Sequence, residues 1–170
     1  MNKHIQFSLT ILLLSVSIIV NAQEIIKGPK NTTGLKKGSS ALPQVRFKTG
    51  EMVMMKNTED GMNFDLIKNG KTTALFDPCL DCVYGQTSEF DIDGDGKTEV
   101  LVGSRLTLET FEVKIYKKAE FEVDYKLFST INGQDHCAFL GDNTVKIYTL
   151  ELKAAHLKFK SDGSWIVLEE

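Results

Sequence analysis

From Val45 onward, apolar and polar residues alternate over short runs separated by turn-forming residues, which is the pattern of half-buried strands. Phe111, Val113 and Ile115 alternate with Glu112, Lys114 and Tyr116, and Phe121, Val123 and Tyr125 alternate with Glu120, Glu122 and Asp124. Each run predicts one dry face and one wet face. Phe64-Asp65-Leu66-Ile67 and Thr73-Ala74-Leu75-Phe76 flank Asn69-Gly70, a strong signal for a tight hairpin. The runs at 145–150, 157–159 and 165–168 continue the series, with Ser161-Asp162-Gly163-Ser164 as another hairpin turn. Ala154-Ala155-His156 reads as a short helical turn. Ten or more short strands without a long helix predict an all-β fold, an antiparallel β meander over residues 44–170 in one domain.

Two segments break this pattern. In residues 1–22, Lys3 supplies a basic start, residues 5–20 are mostly apolar, and Val20-Asn21-Ala22 offers small residues for cleavage, so the segment reads as a bacterial-style signal peptide. The apolar stretch is shorter than the roughly 20 residues a span needs and is interrupted by Ser8, Thr10, Ser15 and Ser17. The expectation is an exported protein, periplasmic or extracellular, with no membrane span after cleavage. Residues 23–43, rich in Lys, Gly, Ser and Thr, read as a flexible basic leader with too few apolar residues to fold alone.

Charge follows the same division. Residues 44–170 carry fifteen basic and twenty-two acidic residues, and so acidic a body speaks against nucleic acid as a partner. The carboxylates Glu109, Glu112, Glu120, Glu122 and Asp124 invite comparison with a glycosidase pair, but their alternation reads as a solvated sheet face. Trp165, Tyr116 and Tyr148 read as core or cross-strand partners.

Definite chemistry is concentrated in Asp91-Ile92-Asp93-Gly94-Asp95-Gly96-Lys97-Thr98-Glu99. Ca²⁺ takes six to eight oxygen ligands, and Asp91, Asp93 and Asp95 at loop positions one, three and five present carboxylates from one tight loop. Gly96 permits the bend, Lys97 offers its backbone carbonyl, and Glu99 is suited to close the coordination shell. Two carboxylates about 5 Å apart at an effective dielectric of about 20 repel by roughly 3 kcal/mol, so a cluster of them needs a cation. An EF-hand would place a bidentate Glu where Val102 stands and would continue as helix. The flanks here are strand-like, which predicts a strand-loop-strand site of affinity on the order of 10⁻⁴ M. The plainer alternative is an Asp-Gly turn that binds nothing.

The stretch from Phe90 to Val102, in the order aromatic, D-x-D-x-D-G-x-x-E, apolar, resembles the calcium loops of the FG-GAP/VCBS repeats of integrin-type β-propellers. The resemblance implies a small or irregular β-propeller-like module with structural Ca²⁺. The motif occurs once; Gly141-Asp142-Asn143 and Ser161-Asp162-Gly163 are the only degenerate turns of its kind in the sequence.

Three cysteines in an exported chain predict a disulfide and a leftover thiol. Cys79, Cys82 and Cys137 are the candidates, and the sequence leaves open whether Cys79 bridges to Cys82 or a longer bridge reaches Cys137. With His136, the three also form a possible zinc set, although the adjacent His136-Cys137 pair is an awkward chelate. His136 beside Asp135 suggests catalysis, but no G-x-S-x-G nucleophile accompanies them. His156 reads as a surface histidine.

The function these features favour is an exported, non-enzymatic calcium-binding module contacting a protein or glycan. A second expectation comes from size, export, β-rich build and Asp-rich loop, which resemble bacterial periplasmic lysozyme inhibitors of the invertebrate-lysozyme type. No clear Ser-Gly-x-x-Tyr inhibitory loop of that family is present: Gly38-Ser39-Ser40 lies in the leader, and Cys82-Val83-Tyr84-Gly85 is only a loose echo. A third is an exported enzyme with a thiol or carboxylate centre.

Overall fold

A computed structural model describes residues 24–107, 109–118, 124–149, 154–160 and 162–168. The expected signal segment and residues 120–123 of the alternating run lie outside them. The described residues form fourteen strands and no helix: β1 (Ile26–Lys27), β2 (Asn31–Lys36), β3 (Gln44–Arg46), β4 (Met52–Thr58), β5 (Gly61–Lys68), β6 (Lys71–Ala74), β7 (Tyr84–Phe90), β8 (Glu99–Arg105), β9 (Phe111–Lys118), β10 (Tyr125–Gly133), β11 (His136–Gly141), β12 (Thr144–Tyr148), β13 (Ala154–Phe159) and β14 (Trp165–Leu168). Among the described residues no helix is long and apolar enough to cross a membrane.

Three four-stranded antiparallel meanders follow one another along the chain: β3–β6, β7–β10 and β11–β14. The N-terminal strands extend the last two. β2 pairs antiparallel with β7 over six residues, from Asn31 opposite Glu89 to Lys36 opposite Tyr84, and β1 pairs parallel with β11. The all-β antiparallel expectation therefore stands. The sheets are open, ending on β3 and β6, β2 and β10, and β1 and β14, and no closed barrel or propeller is found among the described residues.

The alternation seen in the sequence sorts side chains between two cores. β8 is buried along its whole length, as expected of the continuous apolar run Val100-Leu101-Val102. Leu101 faces a core shared with Ile25, Ile26, Ile115, Phe139 and Val145, whereas Val100 and Val102 face one shared with Leu35, Met55, Phe64 and Tyr116. The middle sheet is thus covered on both faces, which is why its strands hold the loops between them firmly. Asn69 and Gly70 make the expected hairpin, with φ of 50° and 75°.

Two expectations are corrected. Residues 26–36 are not a flexible leader but strands of two sheets; Ile25 and Ile26 are fully buried, and Leu35 is 2 % exposed. The segment lacks apolar residues enough for a core of its own, but it borrows two existing ones. Ala154-Ala155-His156 is extended in β13, where both alanines pair with β12 and His156 with β12 and β14, so strand pairing overrides the helical preference of alanine.

The turn before β4 buries Glu51, whose carboxylate binds Lys68 on β5 at 2.8 Å, Lys118 on β9 at 3.2 Å and the Tyr125 hydroxyl on β10 at 2.7 Å. It ties the first sheet to the middle one. Burial raises the Glu51 pKa, but the Lys68, Tyr125 and Lys118 contacts outweigh this and lower it from 4.5 to about 2. Because the folded value lies below the unfolded one, the stabilisation is complete above about pH 4.5 and is lost as pH falls towards 2. Glu51→Gln is expected to cost about 2 kcal/mol at pH 7, allowing for solvent screening, and little at pH 2. Urea unfolding of both proteins across that range measures it; a cost independent of pH would contradict this role.

Candidate metal centre

The segment linking β7 to β8 folds on its own side chains. Asp91 accepts hydrogen bonds from the N–H groups of Gly94 (2.8 Å) and Gly96 (3.0 Å), Asp93 from Asp95 N (3.3 Å), and Asp95 from Lys97 N (2.8 Å). These Asx-type turns draw the chain into a tight coil. Gly94 and Gly96 take φ of 73° and 84°, which side-chain-bearing residues adopt at a cost. Ile92 points the other way, 2 % exposed in the core beneath, and anchors the loop to the middle sheet.

The coil brings carboxylate oxygens of Asp91, Asp93 and Glu99 within 4.8 Å of one another. Glu99, the first residue of β8, is 1 % exposed; its Oε2 accepts the N–H of Ile92 at 2.9 Å, while its Oε1 accepts no hydrogen bond. A carboxylate so buried beside two others suits a hard cation that binds oxygen. Asp95 lies outside this group. It is exposed and its Oδ2 receives Lys117 Nζ at 2.8 Å. Lys97 is exposed at the outer rim, its N–H spent on Asp95.

Sequence reasoning missed Lys117, which comes from β9. Its ammonium donates to Asp93 Oδ2 and Asp95 Oδ2 and lies 3.4 Å from Glu99 Oε1. The alternation read along 111–116 stops short of Lys117, and nothing local tied it to a loop more than twenty residues earlier. Asn143 was singled out only as part of a degenerate turn. With its amide nitrogen turned inward, it donates to the carbonyls of Ile92 (3.1 Å) and Asp93 (3.0 Å), so the β11–β12 turn braces the loop from the third sheet.

These contacts shape the electrostatics. Burial raises the Glu99 pKa to about 7; the Ile92 N–H and Lys117 pull it down, and Asp93 pushes it further up. Burial works against the Asp95 carboxylate too, but Lys117 and the Lys97 N–H hold its pKa below the usual value. Burial lowers the Lys117 pKa, yet Asp93, Asp95 and Glu99 together raise it well above that of an ordinary lysine. Beside the loop runs a groove of about 410 Å³, lined by Lys48, Lys97, Lys117, Lys118 and Tyr125. Behind it Glu89, a buried carboxylate of β7, accepts Thr98 Oγ1 at 2.5 Å and Lys48 N at 3.1 Å, pinning the loop's exit.

The cysteine alternatives resolve to one. Cys79 and Cys82 are bonded, with Cα atoms 5.5 Å apart, and Cys137 is a free, fully buried thiol. The zinc set is therefore not assembled, because the bridge consumes two of its sulfurs and successive residues of β11 point to opposite faces. Cys137 packs beside Ile25, and burial pushes its thiol pKa far up. His136 stacks on Tyr148 at 4.3 Å and bonds Asp135 Oδ2 through Nδ1 at 2.8 Å, while Lys27 Nζ lies 3.3 Å from its Nε2. The arrangement is a dyad without a nucleophile among the groups that touch it.

Tyr116 is buried as expected, and Trp165 packs on Phe159 with its indole N–H on Ser129 Oγ at 2.9 Å. His156 is half-buried in β13. Glu112 pairs with Lys114 at 3.2 Å, while Glu109 and Asp124 are exposed. The loose echo of an inhibitory loop at 82–85 runs beside the segment before Gly38, since Lys37 N donates to Val83 O at 3.0 Å. A hollow of about 210 Å³ beside them is lined by Gly38, Asn57, Leu80 and Cys82 among others. No protein-family model, curated protein or solved structure matches this chain.

Proposed function

We propose that this chain is an exported, non-enzymatic β module of the FG-GAP/VCBS kind, in which one Ca²⁺ held by Asp91, Asp93 and Glu99 fixes a loop that helps contact a protein or glycan. The observation that carries the metal reading is the buried Glu99 carboxylate, which has an oxygen within 4.8 Å of oxygens of Asp91 and Asp93, and whose Oε1 is met at 3.4 Å by the Lys117 ammonium without a close hydrogen bond. Calcium's contribution would be electrostatic, relieving the repulsion among oxygens that the fold has already drawn together. Asp95 would serve at the margin of the site. The contact surface would be the adjoining groove, whose lysines offer donors to carboxylate or hydroxyl groups of a partner.

A thiol centre is less well supported than a binding role, because Cys79 and Cys82 are bonded to each other and Cys137 is sealed in the core. Calorimetric titration of metal-stripped protein tests the metal reading. One Ca²⁺ is expected to bind with a Kd on the order of 10⁻⁴ M. At 10 mM Ca²⁺ the added stability is then about 2.7 kcal/mol, read as a rise in Tm. No binding heat and an unmoved Tm at that concentration would end the reading.

A further inference from the structure

Lys117 stands where a second cation would stand. Its ammonium meets carboxylate oxygens of Asp93, Asp95 and Glu99, and those of Asp93 and Glu99 belong to the cluster that would bind metal. The side chain is held from the other side by Phe128, whose ring centre lies 5.6 Å from Nζ. An ammonium has three donors and no acceptor, so it satisfies acidic oxygens much as a metal does and shares nothing with a neighbouring cation. We infer that Lys117 is a tethered cation that keeps the loop in its binding shape without metal, competes with calcium for Asp93 and Glu99, and withdraws into the adjoining groove when calcium binds. This rests on the reading of the loop as a calcium site.

The geometry allows the exchange. Lys117 already lines the 410 Å³ groove, so its flexible four-carbon stem can carry the charge there without movement of β9. Asp95, exposed and already 2.8 Å from the ammonium through Oδ2, can keep its hold on the displaced ammonium while Asp93 and Glu99 turn to the metal. Calcium occupancy would then add one positive charge to a groove that already has Lys48, Lys97 and Lys118 on its walls. The loop's calcium affinity is accordingly set by a residue that sequence motifs for such loops leave out.

The test compares calcium titrations of the wild-type chain, Lys117→Met and Lys114→Met, the last being a lysine of the same strand that pairs with Glu112 instead. Lys117→Met is expected to bind Ca²⁺ about tenfold more tightly than the wild type or better, with Lys114→Met unchanged. In EDTA, Lys117→Met should melt below the wild type, and millimolar Ca²⁺ should restore it. Wild-type binding with equal or weaker binding by Lys117→Met would overturn the inference, as would a Lys117→Met chain that stays unfolded even with calcium. Absence of binding by every variant would instead remove the calcium site itself.

Discussion

A chain lacking residues 24–36 is expected to lose its cooperative thermal transition. The deletion removes β1 and β2, and with them the side chains of Ile25, Ile26 and Leu35, all at most 2 % exposed. Burial of each stabilises by about 1.5–3 kcal/mol, so the loss is roughly 5–9 kcal/mol from hydrophobic burial alone. Gln86 would suffer as well. Its side-chain oxygen accepts the N–H groups of Ile25 (2.7 Å) and Ile26 (2.9 Å), and its nitrogen donates to Ile26 O at 2.8 Å. Left in a cavity without these partners, a buried amide costs about 1–3 kcal/mol more. Small domains are stable by about 5–15 kcal/mol, so the deletion takes most or all of it. Circular dichroism during heating and the dispersion of amide resonances would measure the effect. A truncated chain that melts like the full one would restore the view of this segment as a dispensable leader.

Glu99→Ala is expected to weaken calcium binding by at least about tenfold and to destabilise the metal-free protein by about 1–3 kcal/mol. The two losses have different causes. Metal affinity falls because the closing oxygens of the cluster are gone. Stability falls because the Ile92 N–H, bonded to Glu99 Oε2 at 2.9 Å, is stranded in a buried position. Glu99→Gln separates them: its amide oxygen can still accept the Ile92 N–H, so stability should be largely kept while metal affinity drops. Asp95→Asn should affect affinity less than either, because Asp95 faces Lys117 and lies outside the carboxylate cluster. Calorimetry with each variant decides, and undiminished calcium binding by Glu99→Ala would sink the assignment of Glu99 as a ligand.

How far the sequence carried differs between fold and site. The strands at 111–118 and 144–148 were legible because period-two alternation is a local property of the chain, and 165–168 because its run of Trp, Ile, Val and Leu is strand-forming. The hairpin at Asn69-Gly70 was legible for a similar reason, since its backbone angles are demanded by those two residues. β1 and β2 were not legible. Their apolar residues are few, and their stability comes from partners far away in sequence, from Tyr84 opposite Lys36 to Gln86 on the N–H of Ile25. At the candidate metal centre, the loop and its grouping of Asp91, Asp93 and Glu99 followed from spacing. The roles of Asp95 and Lys97 did not, because a linear motif cannot say which carboxylates turn inward and which meet a lysine from another strand.

The sequence by itself determined that the chain makes short strands and that it places four acidic side chains in one glycine-bearing loop. Both are encoded by neighbours along the chain. Tertiary structure decided which strands join which sheet, that Cys79 and Cys82 pair while Cys137 is sealed away, and that Lys117 and Asn143 close around the loop. The physical reason is burial. A carboxylate such as Glu99 becomes a strong demand for a cation only when the strands around it exclude water, and which cation answers depends on what the neighbouring strand brings within reach.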